Sequence, residues 1–167
     1  MNIVIQCAGS KRANAGRMQR MDGTPVMFVA EPTYAPDTQH LYARPDDLGE
    51  EGKSWRETLL EYNESSEKNP WGLVRAADLY RPSAYSELVN RFGIDKVFIL
   101  SAGWGLVRGD FRLPDYDITF SGQAEPYKRR RRTAGWADLN QLPAHTEEPV
   151  ASRAARIRRA APRKEAL

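Results

Sequence analysis

The sequence predicts a single α/β domain: a mostly parallel central sheet flanked by helices, with a long polar insertion and a basic C-terminal tail. Three observations carry that expectation. Lys96-Val97-Phe98-Ile99-Leu100 is a continuous apolar run of the kind found in strands covered on both faces, as in a parallel sheet. A helical pattern ended by Gly93 leads directly into that run, an α–turn–β unit. The 167 residues, 41% hydrophobic and 28% charged, fit one domain of ordinary globular composition.

The elements follow in chain order. Ile3-Val4-Ile5-Gln6-Cys7-Ala8, ended by Gly9-Ser10, reads as a buried first strand leading into a turn. Without a basic region or a long apolar stretch it does not read as a signal peptide. Val26-Met27-Phe28-Val29-Ala30 is a second strand candidate, closed by Glu31-Pro32. Residues 32–53 carry Pro32, Pro36, Pro45, Gly49 and Gly52 with the acids Asp46, Asp47, Glu50 and Glu51, and read as an exposed excursion. Ser54 and Glu57 match a capping box for a helix with Trp55, Leu59 and Tyr62 on one side. Gly72 to Tyr80 adds a short helical stretch. Pro82 then opens the helix 83–92, whose Tyr85, Leu88, Val89 and Phe92 fall at i, i+3, i+4 and i+7. Beyond Pro114 the chain turns polar, with a short helix expected over 133–142 around Trp136 and Leu139.

Charge divides the chain. Residues 128–167 hold 11 Lys and Arg against 4 Asp and Glu, a balance of +7, whereas residues 1–127 carry −4. The expected division is therefore an α/β body over 1–127, interrupted by the insertion 32–70, and a basic segment over 128–167 that is partly disordered from residue 151. Lys128-Arg129-Arg130-Arg131-Arg132 heads that segment, and counterion release lets such a cluster bind DNA or RNA non-specifically. The alternative is a solvated charged face with no partner. No run reaches the roughly 20 apolar residues of a membrane span, and one cysteine forms no internal disulfide, so the expected compartment is the cytoplasm.

In an open α/β sheet, ligands gather outside the carboxyl ends of the strands. Two loops there have the right content. The first, Cys7 to Arg12, joins a thiol, a hydroxyl and cations directly after a strand; Ser10 is a candidate ligand contact, and Cys7 and Lys11 are candidate nucleophiles. The second runs from Ser101 through Gly103, Trp104, Gly105 and Arg108 to Tyr116 and Asp117. There Trp104 offers a ring for stacking, Arg108 and Lys11 meet an anion, Ser101 and Tyr116 supply hydroxyls, and Asp117 is a candidate acid/base. The plainer alternatives are a buried Cys7 behaving as a small apolar residue, a core plug at Trp104 and a turn cap at Asp117. His40 and His145 have no catalytic context, and one Cys with two scattered His makes no metal-ligand spacing. No cofactor motif is present.

The stretch Ile99-Leu100-Ser101-Ala102-Gly103-Trp104-Gly105-Leu106-Val107-Arg108, followed by Leu113-Pro114-Asp115-Tyr116, resembles the signature of the YaaA-like proteins and their smaller relatives of unknown function. The first-strand turn with Cys7, Ser10 and Lys11, and Asp78-Leu79-Tyr80 before a helix, are similar to the same family. The matching pieces cover residues 1–12 and about 76–120. The chain departs from that pattern in the 32–70 insertion and in lacking an apolar strand after Pro149. The resemblance implies a DNA-associated stress-response protein. The function expected is binding of a free nucleotide or a nucleic acid by the strand-end pocket and the basic segment. The alternatives are an enzyme that modifies a nucleobase or nucleotide, and a non-catalytic interaction module.

Overall fold

A computed structural model describes residues 1–65, 67–131 and 135–144. Arg132, His145 and the tail from residue 151 lie outside the described residues. β1 (Ile3–Gln6) pairs in parallel with β5 (Val97–Ser101), register Ile3 to Val97 and Gln6 to Leu100. β5 turns back into β6 (Gly105–Arg108) as an antiparallel hairpin, and β6 pairs in parallel with β8 (Leu139–Asn140). The central sheet is thus ordered β1-β5-β6-β8, mixed but mostly parallel.

Several expected elements form where the local chemistry asks for them. Helix α1 (Trp55–Ser65) starts on a complete capping box: the Ser54 N–H donates to Glu57 Oε2 at 2.8 Å, and the Glu57 N–H to Ser54 Oγ at 3.1 Å. Trp55, Leu59 and Tyr62 face the core, as their spacing requires. Helix α3 (Ala84–Phe92) ends at Gly93, whose φ of +87° suits a residue without a β-carbon. In β5, Val97, Phe98 and Ile99 are buried, while Leu100 is 38% exposed, so cover on its outer face stops before the strand ends.

Three expectations are corrected. The segment after Ser101 is not a free loop: β6 begins at Gly105, and a side chain there would strike the Leu139 backbone within 2.6 Å. Residues 135–142 are not helical. Leu139 N–H donates to the Trp104 carbonyl at 3.0 Å and Gln141 N–H to that of Leu106 at 2.9 Å, so sheet pairing takes the backbone groups a helix would need. The 32–53 excursion is not wholly irregular, because β3 (Leu41–Ala43) pairs in parallel with β2 (Val26–Phe28). That pair docks on the site: Asp117 N–H donates to the Phe28 carbonyl at 2.8 Å. A third ladder joins β4 (Val74–Arg75), which leads into the short helix α2 (Ala76–Leu79), to β7 (Arg112–Leu113). Met18, Phe28, Leu59, Leu79, Ile99 and Trp104 share one core.

Candidate functional site

The carboxyl ends of β1 and β5 are laced together. Cys7 N–H donates to the Leu100 carbonyl at 3.0 Å, and Ala102 N–H donates to Cys7 Sγ at 3.3 Å, so the half-buried thiol is held against the next turn. Ser101 Oγ receives the Trp104 N–H at 3.2 Å and donates to the Tyr116 hydroxyl at 2.9 Å. The Tyr116 hydroxyl in turn meets that of Tyr80 at 2.7 Å. All three residues are buried, and burial pushes both phenols above the ordinary tyrosine range, so they stay protonated. This hydroxyl chain forms the floor of the site.

Lys11 lies on that floor, its ammonium 4.2 Å from the centre of the Tyr116 ring. The turn that carries it is fastened to the strip before α3: Lys11 bridges Tyr80, Arg12 N–H donates to the Leu79 carbonyl at 2.9 Å, and Arg81 N–H to that of Ser10 at 3.2 Å. Arg81 Nε also donates to the Lys11 carbonyl at 3.0 Å. Lys11, Arg12 and Arg81 thus stand on two paired strips, and none of the three forms an ion pair among the described residues. The nearby carboxylates are already engaged: Asp115 pairs with Arg17 at 2.9 Å, and Asp117 with Lys128 at 3.0 Å. A cleft of about 100 Å³ beside them is lined by Arg17, Tyr42, Asp115, Tyr116, Asp117 and Tyr127.

Burial is the main cause that lowers the Lys11 pKa below the ordinary lysine value, against the pull of Asp115 and Asp117. Lys128 goes the other way, raised by its hydrogen bonds to Glu125 and Asp117. A lowered pKa exposes the neutral amine at lower pH. In pH-resolved reductive methylation read by mass spectrometry, Lys11 will therefore gain reactivity below the pH at which Lys128 does. The reverse order would contradict the placement of both side chains.

The structure gathers Cys7, Lys11, Ser101, Tyr116 and Asp117 at one place, with Ser10 exposed at its edge. It does not bring Trp104 there as a stacking surface: the ring is 0% exposed and packs edge-on against Phe28 at 4.9 Å. Gly103 and Gly105 are likewise buried, and the Gly103 and Trp104 carbonyls accept from Arg56 at 3.0 and 2.8 Å. Arg108 lies opposite Phe98, toward the far end of β5, paired with Asp110 at 2.6 Å beside a separate recess of about 420 Å³. In the basic run, Lys128 holds Asp117 and Glu125, Arg129 donates to the Gly122 carbonyl, and Arg130 binds Asp138 and the Ala102 carbonyl while its guanidinium stands 4.2 Å from the Trp136 ring. Arg131 is exposed.

Sequence reasoning did not single out Tyr80, Arg12 and Arg81 as site members, although Arg12 closes the first candidate loop as one of its two cations. Asp78-Leu79-Tyr80 was a signal for the first, and adjacency to Lys11 for the second. Arg81 is 70 residues from Lys11, and only the pairing of the two strips reveals it. No group of His, Cys, Asp and Glu suited to a metal ion occurs among the described residues. No family model matches the chain, and neither a curated protein nor a solved structure matches it.

Proposed function

We propose that this protein binds a phosphate-bearing ligand, a nucleotide or a nucleic acid, at the carboxyl ends of β1 and β5. The observation that carries the reading is that Lys11, Arg12 and Arg81 stand on two paired strips at this strand end without carboxylate partners among the described residues, while Arg17, Arg56, Arg108, Lys128 and Arg130 are all paired. A cation without a carboxylate partner is free to meet an anion. Guanidinium groups present forked donors to phosphate oxygens, and a lysine adds a point charge. The tyrosine-lined cleft, whose Tyr116 ring also meets the Lys11 ammonium, gives the remainder of such a ligand an amphipathic wall. The resemblance to the YaaA-like proteins points in the same direction, toward DNA. The basic run contributes less, since its Lys128 is held by Asp117 and Glu125.

Lys11→Met tests the reading by removing the charge while keeping the length of the stem. Fluorescence polarisation with labelled single- and double-stranded oligonucleotides should show affinity reduced about tenfold, the scale of one charge-assisted hydrogen bond. Circular dichroism of the variant should match the parent. Unchanged affinity would remove Lys11 from the site.

A further inference from the structure

Two adjoining recesses, of about 420 and 280 Å³, share Arg20, Glu50 and Trp55 and make one groove between the insertion and α1. Met21 and Leu48 line it while 82% and 74% exposed, so two large apolar side chains stand uncovered at its edges. Trp71 lines the larger recess, its ring stacked on Tyr62 at 4.4 Å. Asp47, Glu50 and Glu51 face a single cation in the groove lining, Arg20, which is already paired with Glu50 at 3.4 Å. Glu51 is exposed, and its carboxylate has no hydrogen bond or ion pair among the described residues. Apolar edges, an indole and surplus negative charge suit a segment that alternates cations with small apolar residues, because a guanidinium stacks on an indole and donates to carboxylates.

The chain itself supplies such a segment. Residues 151–164 carry Arg153, Arg156, Arg158, Arg159, Arg163 and Lys164 without an acid, interspersed with Ala154, Ala155, Ile157, Ala160 and Ala161. The chain also arrives at the right place. Ala137 N–H donates to Asp46, next in sequence to groove-lining Asp47, and Gln141 shares a recess with Leu60 and Glu64 of α1, whose Trp55 and Thr58 line the groove. Residues 145–153 can span about 30 Å, against a helix diameter of about 10–12 Å. From this match of charge, composition and reach we infer that the groove between the insertion and α1 holds residues 151–164 of the same chain. Its arginines meet Trp71 and the carboxylates of Asp47 and Glu51, and Ile157 and the alanines lie along Met21 and Leu48. The cations of the tail are thereby withheld from outside polyanions until those compete for them.

Photocross-linking of the full chain tests this. p-Benzoylphenylalanine replaces Leu48 in one variant and Met21 in a second, so that a failure of either to fold leaves the other. Tyr34, 60% exposed and outside the groove lining, carries the same group as a control. Circular dichroism confirms that each variant is folded, and adducts are mapped by peptide mass spectrometry after monomer and dimer are separated. Positions 48 and 21 should cross-link within the monomer to residues 151–164, and position 34 should not. Glu51→Lys should lower that yield about threefold, the scale of an exposed ion pair. Salt at about 0.5 M should lower it further by screening. Adducts scattered along the chain, equal tail yields from position 34, or none on the tail would overturn the inference. So would tail adducts found only in cross-linked dimers, which assign the groove to a second copy. A yield indifferent to both Glu51→Lys and salt would show that charge does not direct the docking, and would overturn it as well.

Discussion

Replacing Arg56 by alanine will destabilise the protein by about 3–5 kcal/mol, the usual cost of removing one partner of a buried ion pair. Arg56 is 3% exposed and makes three connections at once. Its Nε donates to Asp46 at 2.6 Å, and its two terminal nitrogens to the carbonyls of Trp104 and Gly103 at 2.8 and 3.0 Å. Asp46 also accepts the Ala137 N–H at 3.0 Å, so one ion pair ties the insertion and α1 to the β5–β6 turn and to the strip that becomes β8. Without the guanidinium, among the described residues the Trp104 carbonyl keeps only the Leu139 N–H and Asp46 only the Ala137 N–H, while the Gly103 carbonyl loses the Arg56 donor. A lysine in its place would not substitute, because one ammonium cannot span three acceptors in a plane. Urea denaturation followed by circular dichroism checks this for both Arg56→Ala and Arg56→Lys; a loss under about 1 kcal/mol in the alanine variant would contradict it.

Trp104→Ala will cost a similar amount, about 3–5 kcal/mol, because it removes the largest fully buried side chain and opens a cavity against Phe28. Trp104→Phe will cost less, since the indole N–H has no partner to lose among the described residues. The pair separates a core role from a ligand-stacking one. Both variants should bind oligonucleotide with affinity close to the parent's at temperatures where they remain folded. A folded Trp104→Phe protein with sharply weakened binding would contradict the buried placement of the ring.

What could be read from the sequence follows a physical division. β1, β5, α1 and α3 are announced by their own residues: apolar runs, a capping box, helical spacing and a terminal glycine. β3, β6 and β8 are not, because Leu41–Ala43, Gly105–Arg108 and Leu139–Asn140 become strands only when a partner offers a ladder. Two glycines around a tryptophan look equally like a ligand loop and a tight hairpin until burial decides between them. The strand-end position of Cys7, Lys11, Ser101 and Tyr116 was legible because it follows from where strands end. The cationic rim was not, since Arg81 reaches Lys11 through tertiary pairing alone. Conversely, the run 128–131 looks like a free basic patch in sequence, yet Lys128 and Arg130 are spent on Asp117, Glu125 and Asp138.

That contrast sets the most direct test of the central claim, that the phosphate site is the strand-end rim and not the basic run. Affinity for single-stranded DNA would be measured across a salt series for the parent, Arg12→Ala/Arg81→Ala and Arg129→Ala/Arg131→Ala, each shown to be folded. For the rim variant we predict weaker binding and a log–log salt slope shallower by about 1.4, two phosphate contacts at about 0.7 each. The run variant should change less in both. A full effect in the run variant with an unaltered rim variant would contradict the account.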